Sequence, residues 1–125
     1  MELNDCGVAL VDICVVRGDN RTLRFTVKDR SGAVLPPGSL FGVAAKLAVD
    51  PNPDPDDATT KVLELIGSVN DTDSQVEFTP DESQAIALAP DVYFYDMQLT
   101  FPGDITVTSA KGQFTVEADI SDAGA

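Results

Sequence analysis

The chain has 125 residues, 43% of them hydrophobic, with six Phe and two Tyr. That is enough for one buried core without metals or disulfides, and it excludes wholesale disorder. Eight Lys and Arg stand against 21 Asp and Glu, a net charge of −13. Such a chain has no basic cluster to displace counterions from nucleic-acid phosphate, and an anionic membrane repels it, so neither is an expected partner.

The start, Met1-Glu2-Leu3-Asn4-Asp5, lacks the basic opening of a secretory signal. The apolar run from Val8 to Val16 is broken by Asp12 and is too short to cross a bilayer. Synthesis and retention in a cytosol are expected, with Cys6 and Cys14 reduced; a disulfide between them is the alternative.

The dominant hydrophobic period is two. Val11, Ile13 and Val15 begin it, and Leu23-Arg24-Phe25-Thr26-Val27-Lys28 alternates cleanly. Val43, Ala45, Leu47 and Val49 repeat it, as do Val76 and Phe78. Tyr93, Tyr95, Met97, Leu99 and Phe101 make one long face, and Phe114, Val116, Ala118 and Ile120 make the last. Side chains on a strand alternate between faces, so each segment has one buried and one wet side, the pattern of antiparallel sheets. Turn residues punctuate the strands at Arg17-Gly18-Asp19-Asn20, Asp29-Arg30-Ser31-Gly32 and Pro36-Pro37-Gly38, and Pro102-Gly103-Asp104 predicts a tight hairpin before a strand at Ile105–Thr108. One all-β domain over residues 1–125 is therefore expected: an immunoglobulin-like antiparallel β-sandwich of seven to eight strands, its core over about residues 10–120. The expected core comprises Ile13, Val15, Phe25, Val27, Leu47, Phe78, Tyr95, Leu99, Phe114 and Val116.

One segment departs from this period. Thr79-Pro80-Asp81-Glu82 reads as a helix start, with Thr79 as cap, Pro80 at the first helical position and Glu82 closing a capping box. Two turns would follow over Ser83–Leu88, with Ile86 and Leu88 inward, before Ala89-Pro90 ends them. Tyr93, or failing that Tyr95, is the candidate to anchor the next corner through its hydroxyl. Asp50-Pro51-Asn52-Pro53-Asp54-Pro55-Asp56-Asp57 is expected to protrude as a solvated connection, and the tail Ser121–Ala125 to fray.

Catalytic chemistry finds no foothold in this sequence. There is no His, hence no Ser-His-Asp or Cys-His arrangement, and two Cys alone cannot build a tetrahedral zinc site. No glycine-rich phosphate loop is present. The acidic loop offers oxygen ligands of the kind calcium takes, but lacks the Gly and the closing Glu of an EF-hand. Arg17-Gly18-Asp19 spells an integrin-type tripeptide and equally fits an ordinary turn. The expectation is no enzyme, no cofactor and no metal.

The segment Val16-Arg17-Gly18-Asp19-Asn20-Arg21-Thr22-Leu23-Arg24-Phe25-Thr26-Val27, continued by Lys28-Asp29-Arg30-Ser31-Gly32, resembles the opening of phage immunoglobulin-like tail domains, the N-terminal domain of the baseplate upper protein among them. Their opening runs G-D-(N/T)…L-x-F-x-(V/L)-x-D-x-x-G. The strand Val43–Leu47, the helix, the strand Val92–Leu99 and the closing strand Lys111–Val116 follow in the order that family shows. The resemblance implies a non-catalytic virion structural protein of the tail or baseplate, made in the host cytoplasm, with other virion proteins as partners and no catalytic residues. The family's helical or receptor-binding extension is not in this sequence, which keeps a capsid decoration or neck position open, as well as a cellular immunoglobulin-like binding module.

A homo-oligomer is expected from the second face of the strands. Val16, Ala44, Ala48, Val92 and Phe94 lie opposite the core positions, and adjoining exposed apolar residues mark interfaces. Val92 and Phe94 are the candidate interface residues.

Overall fold

The computed structural model describes residues 2–3, 8–29, 31–52 and 61–118. Strands β1 (Glu2–Leu3), β2 (Ala9–Leu10), β3 (Ile13–Val16), β4 (Leu23–Thr26), β5 (Ala44–Asp50), β6 (Leu63–Ile66), β7 (Ser68–Asn70) and β8 (Gln75–Phe78) precede the single-turn helix α1 (Glu82–Ala85). Strands β9 (Asp91–Phe101) and β10 (Ile105–Glu117) follow it. One sheet has the order β1-β2-β10-β9-β5-β6, with β3 also on β10, and the other has the order β4-β8-β7. The fold is the expected immunoglobulin-like β-sandwich.

The pleat explains the layering. In β9 Tyr95, Met97 and Leu99 are buried, while Phe94, Asp96 and Gln98 between them are half-exposed. Their cross-strand neighbours on β5 are Val49, Leu47 and Ala45, all buried as well. The small sheet answers with Phe25, Val76 and Phe78. Of the ten expected core residues nine are buried, and Val15 is half-buried against the cluster. Four aromatics cross the sandwich in sequence: Phe78 to Phe25 (ring centroids 5.9 Å apart), Phe25 to Tyr95 (6.2 Å) and Tyr95 to Phe114 (6.3 Å).

Several expectations need correction. The large sheet is not wholly antiparallel, because β2 and β3 both run parallel to β10, as successive halves of one strand interrupted at Val11-Asp12, with β1 outside β2. The closing segments fuse into one thirteen-residue strand β10, with an irregularity in its pairing to β9 between Thr108 and Ala110. The helix starts two residues later than its first capping signal. Asp81, not Thr79, is the cap: its carboxylate accepts from the Gln84 N–H, and the Gln84 side chain accepts from the Asp81 N–H. The Thr79 hydroxyl bonds that of Thr22 instead. With one turn rather than two, only Leu88 reaches the core, and Ile86 is 40% exposed. Strands β6 and β7 were not anticipated. Ile120 and the tail lie outside the described residues.

Two glycines set close approaches. The chain crosses from the large sheet to the small one at Gly67, between β6 and β7, where an added Cβ would stand 2.7 Å from the Phe78 ring. At Gly112 a Cβ would lie 2.2 Å from the Val11 carbonyl oxygen, so β10 can hold the interrupted strand only with hydrogen there. The hairpin joining β9 to β10 turns through positive φ at Gly103 and Asp104.

Phe114→Ala and Phe25→Ala are each expected to cost about 3–5 kcal/mol, and Gly67→Ala about 1–3 kcal/mol by crowding a ring with nowhere to move. Urea unfolding monitored by circular dichroism checks both, with Ala118→Ser, on an exposed site, as the neutral reference.

Candidate functional site

The features singled out for chemistry are occupied by structural tasks. Among the described residues no group of three or more His, Cys, Asp or Glu is placed to hold a metal ion. Asp50 is buried, and its Oδ1 accepts from the Asn52 N–H at 2.8 Å, starting the acidic loop; Asp54, Asp56 and Asp57 lie outside the described residues. Cys14 is exposed, and its Sγ donates to Glu117 Oε1 at 3.0 Å, a bond that holds the thiol above its ordinary pKa, away from the reactive thiolate. Its possible partner Cys6 lies outside the described residues.

The Arg17-Gly18-Asp19 tripeptide closes the end of α1. Arg17 Nε donates to the Leu88 carbonyl (3.2 Å) and Nη2 to the Ile86 carbonyl (3.0 Å), while the Gly18 N–H donates to the Ala85 carbonyl (2.9 Å). The guanidinium thereby holds two carbonyls just past the helix, and the Gly18 N–H takes the last carbonyl of the helix itself. The cavity between this corner and the core holds only about 30 Å³, among Leu23, Leu65, Leu88 and Phe114, which is room for a water and not for a ligand.

Both tyrosines at the start of β9 anchor backbone. The Tyr93 hydroxyl donates to the Ala89 carbonyl four residues upstream at 2.8 Å, the corner expected from sequence. The Tyr95 hydroxyl donates to the Val11 carbonyl at 2.6 Å, and burial, with Asp12 nearby, pushes its pKa well up.

Two surfaces remain. On the outward face of the large sheet Val92 is 45% exposed and Phe94 is half-buried, with Asp50 and Gln113 as its cross-strand neighbours. Asp96 follows on that face, its pKa raised by desolvation against the pull of Lys46 and Lys111. The second surface is the β9–β10 hairpin end. Phe41 is 79% exposed, Ile105 60% and Val107 46%. Gly42, beside Phe41, abuts the Pro102 ring, and Ile105 pairs with Phe101. Sequence reasoning passed over this end, although an aromatic between turn glycines, in Gly38-Ser39-Leu40-Phe41-Gly42, was its available signal.

No protein-family model and no curated sequence matches the chain. Among solved structures it is similar to CopC from Methylosinus trichosporium OB3b, at 15% identity and a TM-score of 0.43, over 86% of this chain and 84% of that one. It is similar also to the Listeria monocytogenes internalin-like protein lmo2027 (12%, TM-score 0.42), covering 90% of this chain and 28% of that one. A third likeness is to extracellular domains 3–5 of Drosophila OTK (12%, TM-score 0.30), over 89% and 32% respectively. None of the three is a phage baseplate protein, and no residue role passes from them to this chain.

Tyr95→Phe is expected to cost about 1–3 kcal/mol, because it strands the Val11 carbonyl, and Tyr93→Phe about 0.5–1.5 kcal/mol; denaturant midpoints check the order. Asp96 binds its proton more readily folded than unfolded. Its charge therefore works against the fold at pH 7, and that penalty disappears as pH falls through its raised pKa. Asp96→Asn should stabilise at pH 7, with the gain vanishing below about pH 4, and unfolding at the two pH values reads it.

Proposed function

We propose that this chain is a non-catalytic structural protein of a phage virion, a tail or baseplate component that assembles with itself and with neighbouring virion proteins. The observation that carries the reading is the apolar hairpin end, where Phe41, Ile105 and Val107 stand in water on a chain of net charge −13. Exposed apolar residues gathered at one end of the sandwich mark a protein contact. The sequence resemblance over residues 16–32, and the element order after it, supports the virion setting. The charge keeps unassembled copies apart until a partner surface or salt screens them. On this reading Val92 and Phe94 form the contact between copies. Capsid decoration and neck positions would draw on the same surfaces.

A cellular immunoglobulin-like binding module is the second reading. It is favoured by the place of the apolar residues, beside the loop joining β4 to β5 and the β9–β10 hairpin, since variable-type immunoglobulin domains carry binding loops at one end of the sandwich.

Co-expression with the products of adjacent genes, followed by size exclusion with light scattering across salt concentrations, tests the proposal. A complex with a virion protein is expected, weakened at least tenfold by Phe41→Ser combined with Ile105→Ser, while Phe94→Ser abolishes self-association. A protein that stays monomeric at every salt concentration and captures no virion neighbour overturns the virion reading. Capture of a non-virion protein through the same end establishes the second one.

A further inference from the structure

Both halves of the interrupted strand, β2 and β3, pair with β10, and among the described residues β4 pairs with β8 alone. An edge strand presents backbone N–H and C=O groups along its unpaired side, a template for another chain. Between β3 and β4 runs an open groove of about 630 Å³. The buried residues Ile13, Leu23 and Phe25 lie at its floor. Arg21 spans it, with Nη2 donating to the Cys14 carbonyl of β3 at 3.0 Å.

The charge of the groove is opposite to that of the molecule. Of the eight cationic residues in the chain, Arg21, Arg24 and Lys28 line it, against one carboxylate, Asp12, whose Oδ1 already accepts from the Gln113 N–H. Arg24 is engaged with Glu77 across the pair with β8, and its side chain stays 55% exposed.

We propose that the free edge of β4 is a strand-addition site that takes an extended acidic segment of a neighbouring protein, with apolar side chains alternating with Asp or Glu. The proposal rests on reading the chain as an assembly module and commits that module to one kind of contact. An added strand sets alternate side chains beside Leu23 and Phe25, where apolar groups fit, and the others beside Arg24, where a carboxylate is favoured. Four residues of β4 offer about 13 Å of edge at roughly 3.3 Å per residue. The same charges disfavour a second copy pairing β4 against β4, since cations would meet cations. The Asp50–Asp57 segment of a second copy is unsuited as donor, because its alternating prolines lack the N–H that a ladder needs.

The test is amide hydrogen exchange and NMR titration with two synthetic peptides, Thr-Val-Glu-Val-Glu-Val-Thr and its counterpart with Lys for Glu. The glutamate peptide is expected to slow exchange at Leu23–Thr26 and to bind at least tenfold tighter than the lysine peptide. Arg24→Gln combined with Lys28→Gln, which keeps the fold's apolar contacts, should remove that preference, and Phe41→Ser should leave it intact. Equal binding of the two peptides, or no protection in β4, overturns the proposal. So does concentration-dependent dimerisation that protects β4 without peptide, which would make a second copy the occupant. Loss of partner capture in Phe41→Ser with peptide binding unchanged speaks to the hairpin end alone, so the two readings fail separately.

Discussion

Tyr95 is the residue on which the sandwich turns. Its ring lies between Phe25 of the small sheet and Phe114 of β10, so it carries the aromatic contact from one layer to the other. Its hydroxyl would be costly at that depth without a partner, and it finds one in the Val11 carbonyl, at the break between β2 and β3. One side chain thus links core to edge. The interrupted strand is held where it is because a buried hydroxyl needs that carbonyl and because Gly112 leaves room for it.

The placement of that strand has consequences on both sides. It gives β10 a parallel partner and closes one flank of the large sheet. Among the described residues it also leaves β4 with β8 as its single neighbour. The cations beside β4 guard it against indiscriminate pairing, because charge on an edge deters like strands. They also set a rule of admission, since the strand most welcome there carries the opposite sign.

Much of this fold was legible in the sequence because its strands have one wet side. Phe25, Tyr95, Leu99, Phe114 and Val116 were placed in the core by alternation alone. Periodicity reports faces and not partners, so it could not tell that the segment around Ile13 pairs parallel with β10 across about a hundred residues of chain. The helix start was misplaced because Thr79 and Asp81 both offer a capping oxygen, and only tertiary contact with Thr22 decides between them. Strands β6 and β7 escaped notice because they are three and four residues long and meet at a glycine that changes sheets. That β4 pairs with β8 alone among the described residues was illegible for the same reason as the parallel pairing, since periodicity does not report partners. The exposed end at Phe41 was illegible because Phe41 sits in a turn, outside any alternating run.

The parallel register of β3 on β10, Ile13 beside Phe114 through Val16 beside Glu117, also decides how the domain bears load. Tension entering ahead of β3 and leaving beyond β10 pulls the two strands lengthwise past each other. The hydrogen bonds between them lie across that direction and share the force, so they yield together and not one after another like a zipper. The tight hairpin between β9 and β10 is shielded behind this clamp. A pull applied between these two ends is therefore met by this seam in shear.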